Sequence, residues 1–401
     1  MAAKFPDTRR FVTGWSFRLD KIRTLRHAWS IARRSYPDLR DAFAAFRGLV
    51  RAAAANTQLR HITKGVRVEG RLYTLMGMPG RPSPAMDLVI KNELHRCRPI
   101  PGYSGGLLLL LFAITKKCPL RCEHCFEWDV LNNRETLSLE AIMTVIRKFQ
   151  ARGVAQIEIS GGEPLQRFDE LLEILCRSDT LGTDFWLLTS GYRLSAGKAR
   201  QLKAAGLRGI SISLDHWNAP EHDRFRGVQG SWDWAVQATQ NARNAGLLVS
   251  LSLVPVHAFC TPDNLWRYAG LAKALRVHFI RILEPRAAGH YAGLPVELTG
   301  AELDALEHFV REIQHGKAFR DYPLVEYHAS FQRIAGCGGA GIRYLYVDTD
   351  GGMHACPFCR QKCGNAVTGN IEAGLRALRE AGGCPVFKAQ SIQESGMFER
   401  F

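Results

Sequence analysis

Thr115-Lys-Lys-Cys-Pro-Leu-Arg-Cys-Glu-His-Cys-Phe126 follows directly on Leu107-Leu-Leu-Leu-Leu-Phe-Ala-Ile114. The apolar octet, preceded by two glycines, reads as a buried parallel strand. Cys118, Cys122 and Cys125 then fall on the loop at its C-terminal end, where α/β folds carry their chemistry. Three thiolates spaced Cys-x3-Cys-x2-Cys can wrap one iron–sulfur cube but supply three of its four ligands, which leaves one iron open. A structural zinc loop is the plainer reading. Such a site closes with four ligands, however, and His124 could be the fourth only from inside the same tight loop.

From this stretch onward the chain alternates. Strands are expected at 107–114, 155–160, 184–190, 208–214, 247–254 and 277–283, with helices near 138–152, 167–178, 195–206, 231–245 and 263–275. Repeated strand–helix units imply a parallel sheet and an α/β fold. A Rossmann-like open sheet is the rival, but no Gly-x-Gly-x-x-Gly follows the first strand.

Polar residues gather where the strands end. Ser160-Gly-Gly-Glu-Pro164 closes the second; its glycines allow close backbone approach and its carboxylate can pair with an ammonium group. Taken alone it would be a β-turn into a proline-started helix. Thr189-Ser-Gly191 closes the third strand, with Ser190 either near a ligand or a simple turn residue. In Ser211-Ile-Ser-Leu-Asp215, alternation points Ser211, Ser213 and Asp215 to one side, where they need hydrogen-bond partners. Glu284, His290 and Tyr291 read as surface-loop residues, with substrate contact the alternative.

The chain has 401 residues, 11 cysteines and a net charge of +15. No apolar run approaches the ~20 residues that span a bilayer, and Met-Ala-Ala-Lys-Phe-Pro shows no signal-peptide pattern, so a cytoplasmic location is expected. Residues 1–75 hold 16 Lys and Arg against 5 Asp and Glu. Residues 1–60 read as helical, one helix near Leu19–Ala32 and another carrying Leu39, Phe43, Phe46 and Val50 on one face. That basic amphipathic region could pack on the main domain, lie on an anionic membrane, or hold a polyanion. A short hairpin is expected at 65–75, and a helix at 86–96. Cys97, Cys176 and Cys260 read as packed thiols. A second cysteine group, Cys337, Cys356, Cys359, Cys363 and Cys384, surrounds a hairpin turning at Asp350-Gly351. Zinc is one reading of that group.

The ordered set of motifs resembles the radical SAM enzymes. The resemblance implies a partial (β/α)6 TIM-like barrel over 105–320, a basic, mainly helical region with a short hairpin over 1–104, and a Cys-rich SPASM/twitch-like domain over 321–401. It implies a catalytic [4Fe-4S] cluster on Cys118, Cys122 and Cys125. S-adenosyl-L-methionine would be held by Gly162, Glu163, Pro164, Ser190, Ser213, Asp215 and Arg226, the last from a downstream His222-Asp-Arg-Phe-Arg226. Glu163 would take the amino group and Arg226 the carboxylate. His124 departs from the family, which usually has an aromatic residue there. One auxiliary cluster is implied, on Cys337, Cys356 and Cys359 with Cys363 or Cys384 completing the set. The activity implied is reductive cleavage of S-adenosylmethionine and hydrogen abstraction from a substrate. Oxidation or C–C or C–S bond formation on a peptide or small molecule leads, with flavodoxin or ferredoxin as reductant; a lipid substrate or a non-catalytic iron–sulfur carrier are the alternatives.

Overall fold

The computed structural model describes residues 10–55, 62–382, 384 and 387. Its centre is a nine-stranded sheet built from alternating units: β4 (Leu109–Ala113), α4 (Leu139–Ala151), β5 (Gln156–Ser160), α5 (Phe168–Cys176), β6 (Asp184–Thr189), α6 (Ala196–Ala204) and β7 (Gly209–Ser213). α7 (Ala219–Arg226), α8 (Ser231–Asn244), β8 (Leu248–Leu253), α9 (Pro262–Ala274) and β9 (Phe279–Ile282) complete the run. The six strands are parallel neighbours in chain order. Side-chain caps start the helices where the sequence turns polar: Ser138, Ser195, Asn218 and Thr261 each accept a backbone N–H of the first turn.

The sheet continues past residue 320. β10 (Leu324–Tyr327), reached through α10 (Gly300–His315), adds in parallel to β9. β11 (Tyr344–Val347) adds in parallel to β4 at the other edge, and β12 (Met353–His354) turns back on it. The expected hairpin at Asp350-Gly351 is therefore present, and its first strand belongs to the central sheet.

The sheet curls. Four strand steps separate β5 from β9, about 19 Å in a flat sheet, yet Arg281 of β9 meets Glu158 of β5 at 2.9 Å. Only a concave face brings those strands so close. Helix-facing residues such as Ile157, Phe185, Ile210 and Val249 form the main core with the helices. The inner face is apolar at the N-terminal ends of the strands, where Trp186, Leu248, Phe279 and Leu324 meet Val66, Val68, Tyr73 and Met76. Gly209 faces the Trp186 ring, 2.6 Å from where its Cβ would stand, so any larger residue would collide with the indole.

Those floor residues come from a three-stranded antiparallel sheet: β1 (Arg10–Thr13), β2 (Lys64–Val68) and β3 (Arg71–Tyr73). The hairpin turns at Glu69-Gly70, both at positive φ. β1 corrects the all-helical reading of 1–60: Phe11 and Val12 pair with Val66 and Gly65 at the edge of β2. α1 (Gly14–Ser35) and α2 (Leu39–Ala55) follow, packed on α3 (Pro84–Cys97). α2 buries Ala42 and Ala45, and leaves Leu39 and Phe43 exposed. The small side chains let the helices approach, and of the expected apolar stripe Phe46 packs against this cluster whereas Leu39 and Phe43 point outward. Residues 1–9 and 56–61 of that N-terminal expectation, and 388–401 of the C-terminal one, lie outside the described residues. Among the described residues no helix is long and apolar enough to cross a membrane.

Candidate active site

The cysteine loop leaves the C-terminal end of β4 and is pinned from four directions. Asn132, at φ 62°, grips Cys118 twice: its Oδ1 accepts the Cys118 N–H at 3.0 Å and its Nδ2 donates to the Cys118 carbonyl at 3.1 Å. The Gly161-Gly162 turn passes beneath, Gly162 N–H donating to Thr115 O and Glu163 N–H to Lys117 O, both at 2.7 Å. A Cβ on Gly162 would stand 2.4 Å from the Lys117 carbonyl. These glycines therefore serve the approach of two backbones, where the sequence suggested approach to a ligand. The end of α7 gives the third contact, with Arg121 and Glu123 N–H donating to Arg226 and Phe225 carbonyls. The loop after β9 gives the fourth. His290 N–H donates to Cys125 O at 2.9 Å, its Nδ1 lies 3.1 Å from Cys122 O, and its ring stacks on Trp128 at 3.8 Å. Gly289 makes room, since a Cβ there would lie 2.2 Å from Cys125 O.

His290 and Tyr291 are thus scaffold for the cysteine loop, and the buried Tyr291 hydroxyl reaches Glu123 at 3.5 Å. Glu284 likewise sits in a partly buried ion cluster, with Arg286 at 3.1 Å, the Tyr327 hydroxyl at 2.5 Å and Arg333. His124 fills its aromatic slot as a neutral ring: burial pushes its pKa down to about 4, and it stacks on Phe225 at 4.9 Å.

Arg226 and Asp215 form the electrostatic centre of the site. Both are buried, and the guanidinium grips the carboxylate through Nε at 2.6 Å and through Nη2. Asp215 Oδ1 also accepts Val254 N–H at 2.9 Å. Burial alone would raise the Asp215 carboxyl; the adjacent guanidinium outweighs it and holds the carboxyl below its ordinary range. The remaining arm of Arg226 donates to Cys122 Sγ at 3.5 Å. The family resemblance implies two separate cofactor contacts here. The structure brings the two side chains together beside Cys122.

Glu163 is buried with its acceptor positions filled. Oε1 takes Leu165 N–H at 3.0 Å and Thr189 hydroxyl at 2.6 Å; Oε2 takes Ser190 N–H at 2.8 Å and hydroxyl at 2.5 Å. Burial raises its carboxyl and those donors pull the other way. Pro164 starts a short 3-10 turn behind it. Ser213 lies 3.5 Å from Ser252 across the inner face.

The residues fit a cluster with a polar ligand above it. Burial pushes the Cys118, Cys122 and Cys125 thiols up, Cys125 to about 12, so thiolates here need a positive centre to hold them. Among the described residues no three His, Cys, Asp or Glu side chains are grouped to hold a single metal ion; a cube spreads its thiolates more widely than one ion does. The hydroxyls of Ser160 and Ser211, buried on the inner face, have no hydrogen-bond partner. A ligand in the concavity would supply one.

The C-terminal cysteines form a second group. Cys356 and Cys359 Sγ are 3.3 Å apart, the Cys384 thiol reaches Cys359, and Cys337 interacts with both Cys356 and Cys359. Among the described residues no hydrogen bond joins the Cys363 thiol to them; its backbone N–H pairs with Met353 O. All 11 cysteines are unbridged. The module docks on the first loop. Lys116 pairs with Asp350 at 2.6 Å, Arg360 donates to Phe126 O at 2.7 Å, and the Tyr346 hydroxyl bonds Glu127. Sequence reasoning missed Asn132, Glu127, Tyr346 and Arg360. Asn132 alone left a signal, as an Asn in a polar turn that tolerates positive φ.

The radical SAM superfamily profile matches residues 112–267. The GTP 3′,8-cyclase of Marinobacter nauticus is 36% identical over 139 residues, 33% of this chain and 41% of that protein. The PqqA peptide cyclase of Methylocella silvestris is 28% identical over 257 residues, 62% of this chain and 67% of that protein. The chain spans 41%, 60% and 62% of three GTP 3′,8-cyclases it matches. In fold it is similar to Streptococcus suis SuiB bound to precursor peptide SuiA, at TM-score 0.56 and 15% identity, over 74% of this chain and 71% of that one. Motif order and profile agree: residues 112–267 form a radical SAM domain.

Proposed function

We propose that the chain is a radical SAM enzyme that abstracts hydrogen from a peptide and so sets up its oxidation or the closure of a C–C or C–S bond. The observation that carries this reading is the three-cysteine loop pinned over a concave polar face, with Arg226 donating to Cys122 and two unpartnered serine hydroxyls nearby. When bound, a [4Fe-4S] cluster with one open iron would supply the electron that breaks the C5′–S bond of S-adenosylmethionine, giving methionine and a 5′-deoxyadenosyl radical.

The chain's own residues do the rest. Cys118, Cys122 and Cys125 hold the cluster. Arg226 steadies its negative charge, with Asp215 fixing the guanidinium in place. Glu163, Thr189 and Ser190 act as one hydrogen-bonded unit that shapes the rim beside Gly162. Ser160, Ser211 and Ser213 offer hydroxyls to the cofactor's polar groups. Cys337, Cys356, Cys359 and Cys384 hold the auxiliary cluster, and Cys363 stays outside it.

A peptide substrate is favoured by the relatives whose names carry one, the PqqA peptide cyclase and SuiB with SuiA. A small molecule is the second reading, supported by the GTP 3′,8-cyclases. An external flavodoxin or ferredoxin would deliver the electron, and the unbridged cysteines suit a reducing cytoplasm. Reconstituted protein given dithionite and S-adenosylmethionine should release 5′-deoxyadenosine, and Cys118→Ala should release none. Wild-type protein that holds the cluster but leaves S-adenosylmethionine intact would instead be an iron–sulfur carrier.

A further inference from the structure

α1 has two apolar faces. One buries Phe17, Ala28, Ile31 and Ala32 against the protein. Helical periodicity sets Trp15, Leu19 and Ile22 on the opposite side, where they are 77%, 52% and 48% exposed. The outer face of a surface helix is ordinarily polar; here three large apolar side chains stand on it among exposed arginines. Trp29, two turns beyond Ile22 on the same side, meets the Phe43 ring of α2 edge-on at 6.3 Å. Phe43 and Leu39 are 57% and 54% exposed and line, with Trp29, a groove of about 570 Å³. The apolar surface therefore runs on from one helix to the next.

Cations flank it. α1 carries one acidic residue, Asp20, and Arg67 occupies it at 2.7 Å. The acid of α2, Asp41, pairs with Arg98 at 2.6 Å. Among the described residues Arg18, Arg26, Arg40 and Arg47 join no ion pair, and the Arg18 guanidinium lies 5.3 Å from the Trp15 ring centroid. The apolar crest and its arginines need a partner that is apolar and anionic at once.

We propose that this face lies on an anionic phospholipid bilayer, with Trp15, Leu19, Ile22 and Phe43 in the acyl boundary and the arginines at headgroup phosphates. Trp15, Leu19 and Ile22 crown the convex side of a helix beside exposed arginines, and a fluid anionic surface moulds to such a crest. The orientation follows from the fold. Val12 and Phe17, at the same end of α1 as Trp15 but on its buried face, pack with Leu72 and Leu75 under the barrel floor, and the cysteine loop lies at the opposite ends of the strands. A docked chain holds that loop away from the bilayer, which suits a substrate arriving from solution. Only this last point rests on the proposed chemistry; the surface stands without it.

The test is cosedimentation of the full, cluster-loaded chain with vesicles of phosphatidylcholine alone or of equal parts phosphatidylcholine and phosphatidylserine. Binding is expected to the mixed vesicles and to weaken with salt. Arg18→Gln with Arg26→Gln should lower the partition coefficient about 25-fold, about fivefold per charge. Trp15→Ser with Ile22→Ser should lower it at least about tenfold, with circular dichroism, elution volume and vesicle-free 5′-deoxyadenosine release unchanged. Equal partitioning onto both vesicles, or none, overturns the proposal. So does a wild-type dimer that Trp15→Ser with Ile22→Ser splits, which would give the face to a second copy, or loss of peptide binding in those variants, which would give it to the peptide.

Discussion

Arg226→Met should make the first cluster harder to reduce, and Asp215→Asn should make it easier. The guanidinium donates to Cys122 Sγ at 3.5 Å and is anchored by Asp215 at 2.6 Å. Reduction adds negative charge beside Cys122, and a positive donor stabilises that state. A hydrogen bond from a charged group contributes about 1.5–3 kcal/mol, which for one electron corresponds to a fall of about 60–130 mV when it is removed. Asp215→Asn removes a neighbouring negative charge, so its shift has the opposite sign. It also leaves a buried guanidinium without its carboxylate, at a cost of about 3–5 kcal/mol. For a chain of 401 residues that lowers the melting temperature by about 4–6 °C. The assay is potentiometric titration followed by electron paramagnetic resonance, on protein whose iron content matches wild type. Shifts of the same sign in both variants, or an unmoved potential in loaded Arg226→Met, would refute the assignment of Arg226 to the cluster.

Other expectations follow from the same contacts. Gly162→Ala places a Cβ 2.4 Å from the Lys117 carbonyl, so the cysteine loop must shift and iron retention on the first site should fall, read by iron analysis. Cys384→Ser should lose about four irons per chain while Cys363→Ser retains them; equal losses would put Cys363 in the cluster. Glu93, gripped by Arg96 and Arg343 at 3.0 Å, ties α3 to the start of β11. Burial would raise its carboxyl, but the two arginines hold it down to about 2, below an ordinary 4.5. The unfolded chain therefore binds the proton first as pH falls. The stability Glu93 gives is full above the unfolded value and is lost as pH falls through that window toward about 2. Glu93→Gln should flatten the acid side of the urea-midpoint profile.

The sequence shows the barrel because strand and helix periods are local. The expected strand at 155–160 is found at Gln156–Ser160, and that at 208–214 at Gly209–Ser213. Cys118, Cys122 and Cys125 can be read together from the sequence because a short loop confines them. What joins distant segments cannot. Tyr344–Val347 alternates like any hairpin strand, and nothing local tells that it pairs with Leu109–Phe112. Arg226 and Asp215 each look like a ligand contact until the turn between them brings them face to face. Glu163 reads as a free carboxylate, although Thr189 and Ser190 from the next strand end saturate it. Leu39 and Phe43 mark an apolar stripe correctly, but packing was settled by the smaller Ala42 and Ala45.

The account depends on one iron of the first cluster having no protein ligand. Mössbauer spectra of Cys356→Ala with Cys359→Ala, which keeps the first cysteine loop intact, test this directly. One iron site in that cluster should change its parameters when S-adenosylmethionine is added, and the others should not. Four sites that stay unchanged on addition would contradict it.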